Sequence, residues 1–174
     1  MTTIACDGLT IASDSRISGD GIDPFFEKPK FGRLAGRRPI IVAAAGALWW
    51  SGAFRGWASK QRSKYPETDE DEGTAVTFDG ARWLTYLSQV PHPELGPDVW
   101  ALGSGRHYAL TALTLGHCPV AAVWAAMQLD TRTGGSVFVA DVKELLKVGD
   151  GAIKKIRAEE ARPRPSKLIQ ARVY

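Results

Sequence analysis

Short runs of apolar and β-favouring residues, broken by turn signals, cover most of the chain. Near its start, TTIAC and LTIASDS flank Asp7-Gly8. A two-residue connection of this kind predicts a hairpin, because a type I′ turn needs positive φ. Pairing across that turn sets Cys6 against Leu9, Ile4 against Ile11 and Thr2 against Ser13, with Asp14 one step beyond Thr2. The run RRPIIVAAAGA, bounded by Pro39 and Gly46, predicts a buried strand. Trp50, Phe54, Trp57 and Ala58 then recur at helical spacing and predict an amphipathic helix over 49–64. After the acidic loop PETDEDEG, TAVTFDGARWLTYL predicts two strands around Asp79-Gly80, and DVWALGSG a strand ending in glycines. Two helices follow, about 105–115 and 119–130, the first stopped by Gly116 and the second opened by Pro119. GGSVFVADV predicts a late strand. Strands, then a helical pair, then a further strand imply an α+β arrangement of sheets layered with helices.

Composition narrows the class. The 174 residues are 44% hydrophobic and 24% charged, enough for one domain with a sizeable core. No apolar run reaches the roughly 18 residues of a membrane span, and the first residues lack the charged and apolar regions of a signal peptide. With only Cys6 and Cys118, a disulfide framework is not expected, and a reducing cytoplasm is the default. Neither cysteine belongs to a CxxC pair, and His92, His107 and His117 show no metal-ligand spacing, so neither cofactor nor metal is expected.

Charge is uneven. Residues 151–174 carry seven Lys or Arg against Glu159 and Glu160, a net of +5, which leaves −2 for the first 150. The chain therefore divides into a main domain, 1–148, and a basic C-terminal tail, 149–174. A basic, proline-containing tail can bind nucleic acid, but more often it is solvated or packed, and nucleic acid is not the partner expected.

The series TTIA, IASDS, KPKFGRL, AAAGA, ALGSGRHYA and LDTRTGGSV resembles, in order, the motifs of proteasome β subunits and of the bacterial proteasome-like peptidase HslV. That family consists of N-terminal-nucleophile (Ntn) hydrolases. The resemblance runs over roughly residues 2–142 and implies a four-layer αββα sandwich, two antiparallel sheets between helical layers. It also implies a threonine-type peptidase. Thr2, once Met1 is removed, takes the place of the nucleophile. Its own α-amine would be the general base, with an unperturbed pKa of about 7.7–8.0 that suits the task. Without the other motifs, TT reads as an ordinary β-favouring strand start.

The other site residues follow from the same resemblance. Asp14, in IASDS, matches the catalytic aspartate, and Lys30, in KPKFGRL, the catalytic lysine, whose charge favours deprotonation of the threonine hydroxyl. Lys28 lies two residues away, but FGRL after Lys30 keeps the family spacing. Gly46, in AAAGA, matches the glycine whose N–H forms the oxyanion hole. Ser104 matches the serine that hydrogen-bonds the terminal amine. Asp130 and Thr133 match the aspartate and serine of the D-x-x-S-G-G block, the threonine keeping the hydroxyl. Taken singly, each has a plain structural reading: an exposed acid, a surface lysine, a turn glycine, a helix end before a Gly-Gly turn. Ala44 and Leu48 border the expected substrate pocket, which hints at apolar side chains.

Two departures stand out. The family has two long helices between the oxyanion glycine and the GSG strand, and this chain has room for one, so one outer helix is missing. The basic tail has no counterpart. The implied partners are a peptide or unfolded protein substrate and further copies in a homo-oligomeric ring, while the missing helix weakens the case for an unfolding ATPase. A hydrolase of small amides and a catalytically silent assembly subunit remain as other readings, the second motivated by the tail, the missing helix and Met1. A serine-hydrolase elbow does not fit, because Leu102 stands where G-x-S-x-G needs glycine.

Overall fold

The computed structural model describes residues 2–17, 27–60, 64–71 and 73–162. Its strands are β1 (Thr3–Asp7), β2 (Thr10–Asp14), β3 (Phe31–Leu34), β4 (Ile40–Gly46), β5 (Gly73–Phe78), β6 (Trp83–Leu87), β7 (Val90–Leu95), β8 (Val99–Gly103), β9 (Val137–Asp141) and β10 (Lys154–Ile156). The helices are α1 (Leu48–Lys60), α2 (Arg106–Thr114), α3 (Pro119–Leu129) and α4 (Val142–Val148). One antiparallel sheet has the order β10-β9-β2-β1-β8 and the other β3-β4-β5-β6-β7.

Strand alternation builds three apolar layers. Ile4, Cys6, Ile11, Trp100, Leu102 and Phe138 of the first sheet meet Phe31, Ile41, Ala43, Val76 and Trp83 of the second between the two sheets. The opposite faces of those strands point outward. Ala5, Ala12 and Val137 pack against Ala109, Leu113, Ala122 and Ala126 of α2 and α3. Val42, Ala44, Ala75 and Tyr86 pack under Trp50, Phe54 and Ala58 of α1. The result is the expected αββα sandwich. Among the described residues α1 is the only helix between β4 and β8, so the outer layer on the second sheet is thin. Tyr65 closes part of it, edge-on to Phe54 and Trp57 with centroids 6.2 and 5.1 Å away, while Trp50 Nε1 donates to the Pro66 carbonyl at 2.9 Å.

The first hairpin departs from the expected register. Cys6 faces Ile11 and Ile4 faces Ser13, two residues from the pairing drawn through an Asp7-Gly8 turn. The cause is the Asp7 side chain. Its Oδ1 accepts the N–H groups of Leu9 and Thr10 at 3.0 and 2.7 Å, so Gly8-Leu9 becomes the loop, with Gly8 at φ +86°. A shift of two leaves every side chain on its face, but it brings Asp14 level with Thr3 rather than beyond Thr2. The helix expected over 49–64 runs Leu48–Lys60 and Lys64 lies outside it, residues 61–63 falling outside the described set.

Several elements carried no sequence signal. The strand β7 contains Pro91 and Pro93, tolerated because it is the sheet's edge. Part of the basic segment is also ordered into the sandwich. After α4, a 3-10 turn at Asp150–Ala152 leads into β10, which pairs with β9 through Lys155↔Phe138.

Candidate active site

Antiparallel pairing gathers strand ends at one edge of the sandwich. Because β1 lies between β2 and β8, its first residues meet the end of β2 and the end of β8, with Thr3 paired to Gly103. The start of β9 joins them, since Val137 pairs with Asp14. From the second sheet, the residue ahead of β3 arrives beside the end of β4, where Ala44 N–H donates to the Lys30 carbonyl at 3.3 Å. The six sequence blocks thus meet through topology rather than through chain proximity.

Thr2, Asp14 and Lys30 form one cluster. Lys30 Nζ donates to Thr2 Oγ1 at 2.6 Å and to the Arg16 carbonyl at 2.8 Å, and lies 3.7 Å from Asp14 Oδ1. Asp14 is fully buried, and its two oxygens accept from Thr3 N–H at 2.8 Å and Gly134 N–H at 3.2 Å. Burial pushes the Asp14 carboxyl up, opposed by Lys30 and the two N–H groups. Burial likewise pushes the Lys30 ammonium down, opposed by Asp14. A charge-assisted donor on a threonine hydroxyl lowers the cost of an alkoxide there. Lys28, by contrast, is exposed.

Asp130, Ser104 and Thr133 form a second cluster. Asp130 Oδ2 accepts from Ser104 Oγ at 2.5 Å and from Thr133 Oγ1 at 2.6 Å, and Oδ1 accepts from Arg132 N–H at 3.1 Å. Burial pushes this carboxyl up, but the hydrogen bonds from Ser104, Thr133 and Arg132 outweigh it and the net direction is down. The clusters touch through Thr3, whose Oγ1 is 2.7 Å from Thr133 Oγ1. Close approach is built in: a Cβ at Gly103, which sits at φ +92°, would run into the Thr2 carbonyl.

Gly46 ends β4 at φ +126°, exposed, two residues past Ala44. The next residues divide sharply: Leu48 and Trp49 are exposed, whereas Trp50 is fully buried. Sequence reasoning missed Thr3, Arg16 and Gly134, which act through backbone groups or a hydroxyl. Only Gly134 left a trace, as the first glycine of TRTGG. Cys6 lies in the core, its thiol pushed up to about 12 by burial, and cannot supply a nucleophile. Among the described residues, no group of three His, Cys, Asp or Glu side chains could hold a metal, and no helix is long and apolar enough to cross a membrane.

These layers and strand orders form the four-layer αββα sandwich, a fold that the chain shares with several solved structures. The chain is similar to Anbu (Gly-1) mutant from Hyphomicrobium sp. strain MC1, at TM-score 0.68 and 12% identity, over 92% of this chain and 89% of that one. It is similar also to Anbu, an ancestral β-subunit from Yersinia bercovieri, at TM-score 0.64 and 12% identity, with the same 92% and 89% coverage. A third likeness is to BPH from Thiobacillus denitrificans in complex with epoxomicin, at TM-score 0.53 and 16% identity, over 82% of this chain and 99% of that one. No family model matches the sequence, and no curated protein matches it. The likeness is therefore one of fold.

Proposed function

We propose that the chain is a threonine-type peptidase that uses Thr2, freed by removal of Met1, as its nucleophile. The observation that carries this reading is the 2.6 Å contact from Lys30 Nζ to Thr2 Oγ1, with buried Asp14 behind the lysine. In the first step the Thr2 α-amine takes the hydroxyl proton while Oγ1 attacks the scissile carbonyl carbon. Lys30 steadies the oxygen as its charge develops, and the Gly46 N–H receives the carbonyl's oxyanion, a donor worth about 10²–10³ in rate. Collapse breaks the C–N bond, the ammonium returns its proton to the leaving amine, and an ester to Thr2 remains. Water, deprotonated by the same amine, hydrolyses that ester. Ser104, Asp130 and Thr133 orient the amine in this scheme.

The expected substrate is a peptide or unfolded polypeptide. The resemblance of the motifs implies an HslV-like ring of identical copies, and the two lone cysteines suit a reducing cytoplasm. The word subunit in the name of the Yersinia bercovieri protein supports assembly into a larger particle. The epoxomicin complex of the Thiobacillus denitrificans protein suggests the probe. A peptide epoxyketone forms one adduct with the hydroxyl and amine of an N-terminal threonine. Intact mass should show loss of Met1 and then one inhibitor per chain. Met1 retained with no adduct would overturn the reading in favour of an assembly subunit that kept the fold. An adduct together with turnover of small amides, but not of peptides, would favour an amide hydrolase.

A further inference from the structure

The stretch leading to Lys30 is tied down at a second place. Glu27 to Pro29 lie in no regular element, so no ladder of backbone bonds fixes them. Three residues ahead of the lysine, Glu27 Oε1 accepts from Ser136 N–H at 3.3 Å and from Ser136 Oγ at 3.0 Å. Glu27 Oε2 forms an ion pair with Lys155 of β10. The Lys155 and Ser136 hydrogen bonds hold the Glu27 carboxyl below the usual carboxylate range, so it stays ionised at neutral pH. Ser136 lies two residues after Gly134, whose N–H reaches Asp14 and whose carbonyl accepts from Ser15 and Arg16 N–H at 3.2 and 3.0 Å. The Arg16 carbonyl in turn accepts from Lys30 Nζ. The circuit runs from β10 through Glu27 and the Gly134 loop and returns to the lysine.

We propose that Glu27 is a positioning residue for Lys30, and that Lys155 holds Glu27, so that the strand contributed by the basic segment supports the site. The inference deepens the threonine-peptidase reading and rests on it. Pro29 has a fixed φ, so between Glu27 and Lys30 only Lys28 is unrestrained by its ring or by a side-chain anchor. Both partners of the ion pair lie at the surface, 36% and 52% exposed, and such pairs add little to overall stability. Loss of the pair should therefore be felt in the position of Lys30 and hardly in folding.

The test uses the full chain as wild type, Lys155→Ala, Lys155→Arg, Glu27→Ala and Glu27→Gln. Inactivation by a peptide epoxyketone gives a maximal rate and a binding constant, and NMR of labelled lysine Cε follows the Lys30 titration. Lys155→Ala and Glu27→Ala should slow maximal inactivation on the order of tenfold, below the ~100-fold that a 1 Å misplacement can cost. The binding constant and thermal midpoint should hold, Lys155→Arg should restore the rate, and the Lys30 midpoint should rise as the ammonium leaves its buried place. Glu27→Gln keeps an acceptor for Ser136 without the charge and reports the same step if an alanine variant fails to fold. Unchanged inactivation in both alanine variants would overturn the proposal, and so would a change confined to the binding constant. If wild type takes no adduct, the peptidase reading fails. The Lys30 titration then decides: a rise in Lys155→Ala still supports positioning, and an unmoved midpoint sinks it.

Discussion

Asp14 and Asp130 both reach Thr3, one through its N–H and the other through the Thr133 hydroxyl, yet their surroundings treat charge oppositely. Asp14 is sealed at the end of β2 beside a lysine that is itself 11% exposed. Burial works against both charged forms there, so the pair holds together by mutual attraction and hydrogen bonds. Asp130 is partly open at the end of α3, and donated hydrogen bonds win over desolvation. The first cluster keeps a charge at some cost beside a hydroxyl, as a reacting centre requires. The second is a satisfied brace.

That contrast can be broken in order of expected effect. Thr2→Ala should reduce peptidase activity and epoxyketone adduct to background while the thermal midpoint stays near wild type; a fully active variant would end the mechanism. Lys30→Ala should cost about 10² or more in turnover, the range seen when one donor aimed at a developing negative oxygen is removed. Lys28→Ala, at an exposed position, should cost little, and the reverse result would move the lysine by two residues. Asp130→Ala strands the Ser104 hydroxyl and leaves Thr133 with Thr3 alone, and should lower stability by about 1–2 kcal/mol in urea unfolding, a figure kept small by the site's partial exposure.

The smallest effect is in pH, and its sign separates the carboxylates. Asp130 has a folded pKa below its ordinary 3.8. Its contribution is present above 3.8 and fades as pH falls through the depressed value. Asp14 has a folded pKa above 3.8, so the native state binds the extra proton and stability falls as pH rises from 3.8 to the raised value. Comparing thermal midpoints with pH, Asp130→Asn should flatten the acid-side loss, whereas Asp14→Asn should remove the decline above 3.8. Identical pH profiles for the two variants would show that the carboxylates do not differ in the way described.

The alternating strands, the α1 face of Trp50, Phe54 and Ala58, and the Pro119 helix start were legible because side-chain periodicity and turn chemistry are local. β7 was not, since its prolines argue against a strand unless it lies at an edge, and edges are a property of the sheet. β10 was hidden by the charge of its segment, and α4 by its shortness, seven residues directly after a strand. The side chains that gather at the candidate site were legible as motifs, but Thr3, Arg16 and Gly134 join it through main-chain or hydroxyl groups that every residue of their kind carries.

The sequence by itself determined the alternation of faces, the helical pair and the residue types brought toward one edge, all of them consequences of local geometry and ordered motifs. Tertiary structure alone decided the register of the first hairpin, where one Asp7 oxygen capturing two N–H groups moved the loop by a residue. It also brought Lys30, the lysine that the FGRL spacing favours, to Thr2, and Lys155 to Glu27 across more than a hundred residues of chain. Those contacts depend on how two sheets close over a shared core, and no short stretch of sequence encodes that closure.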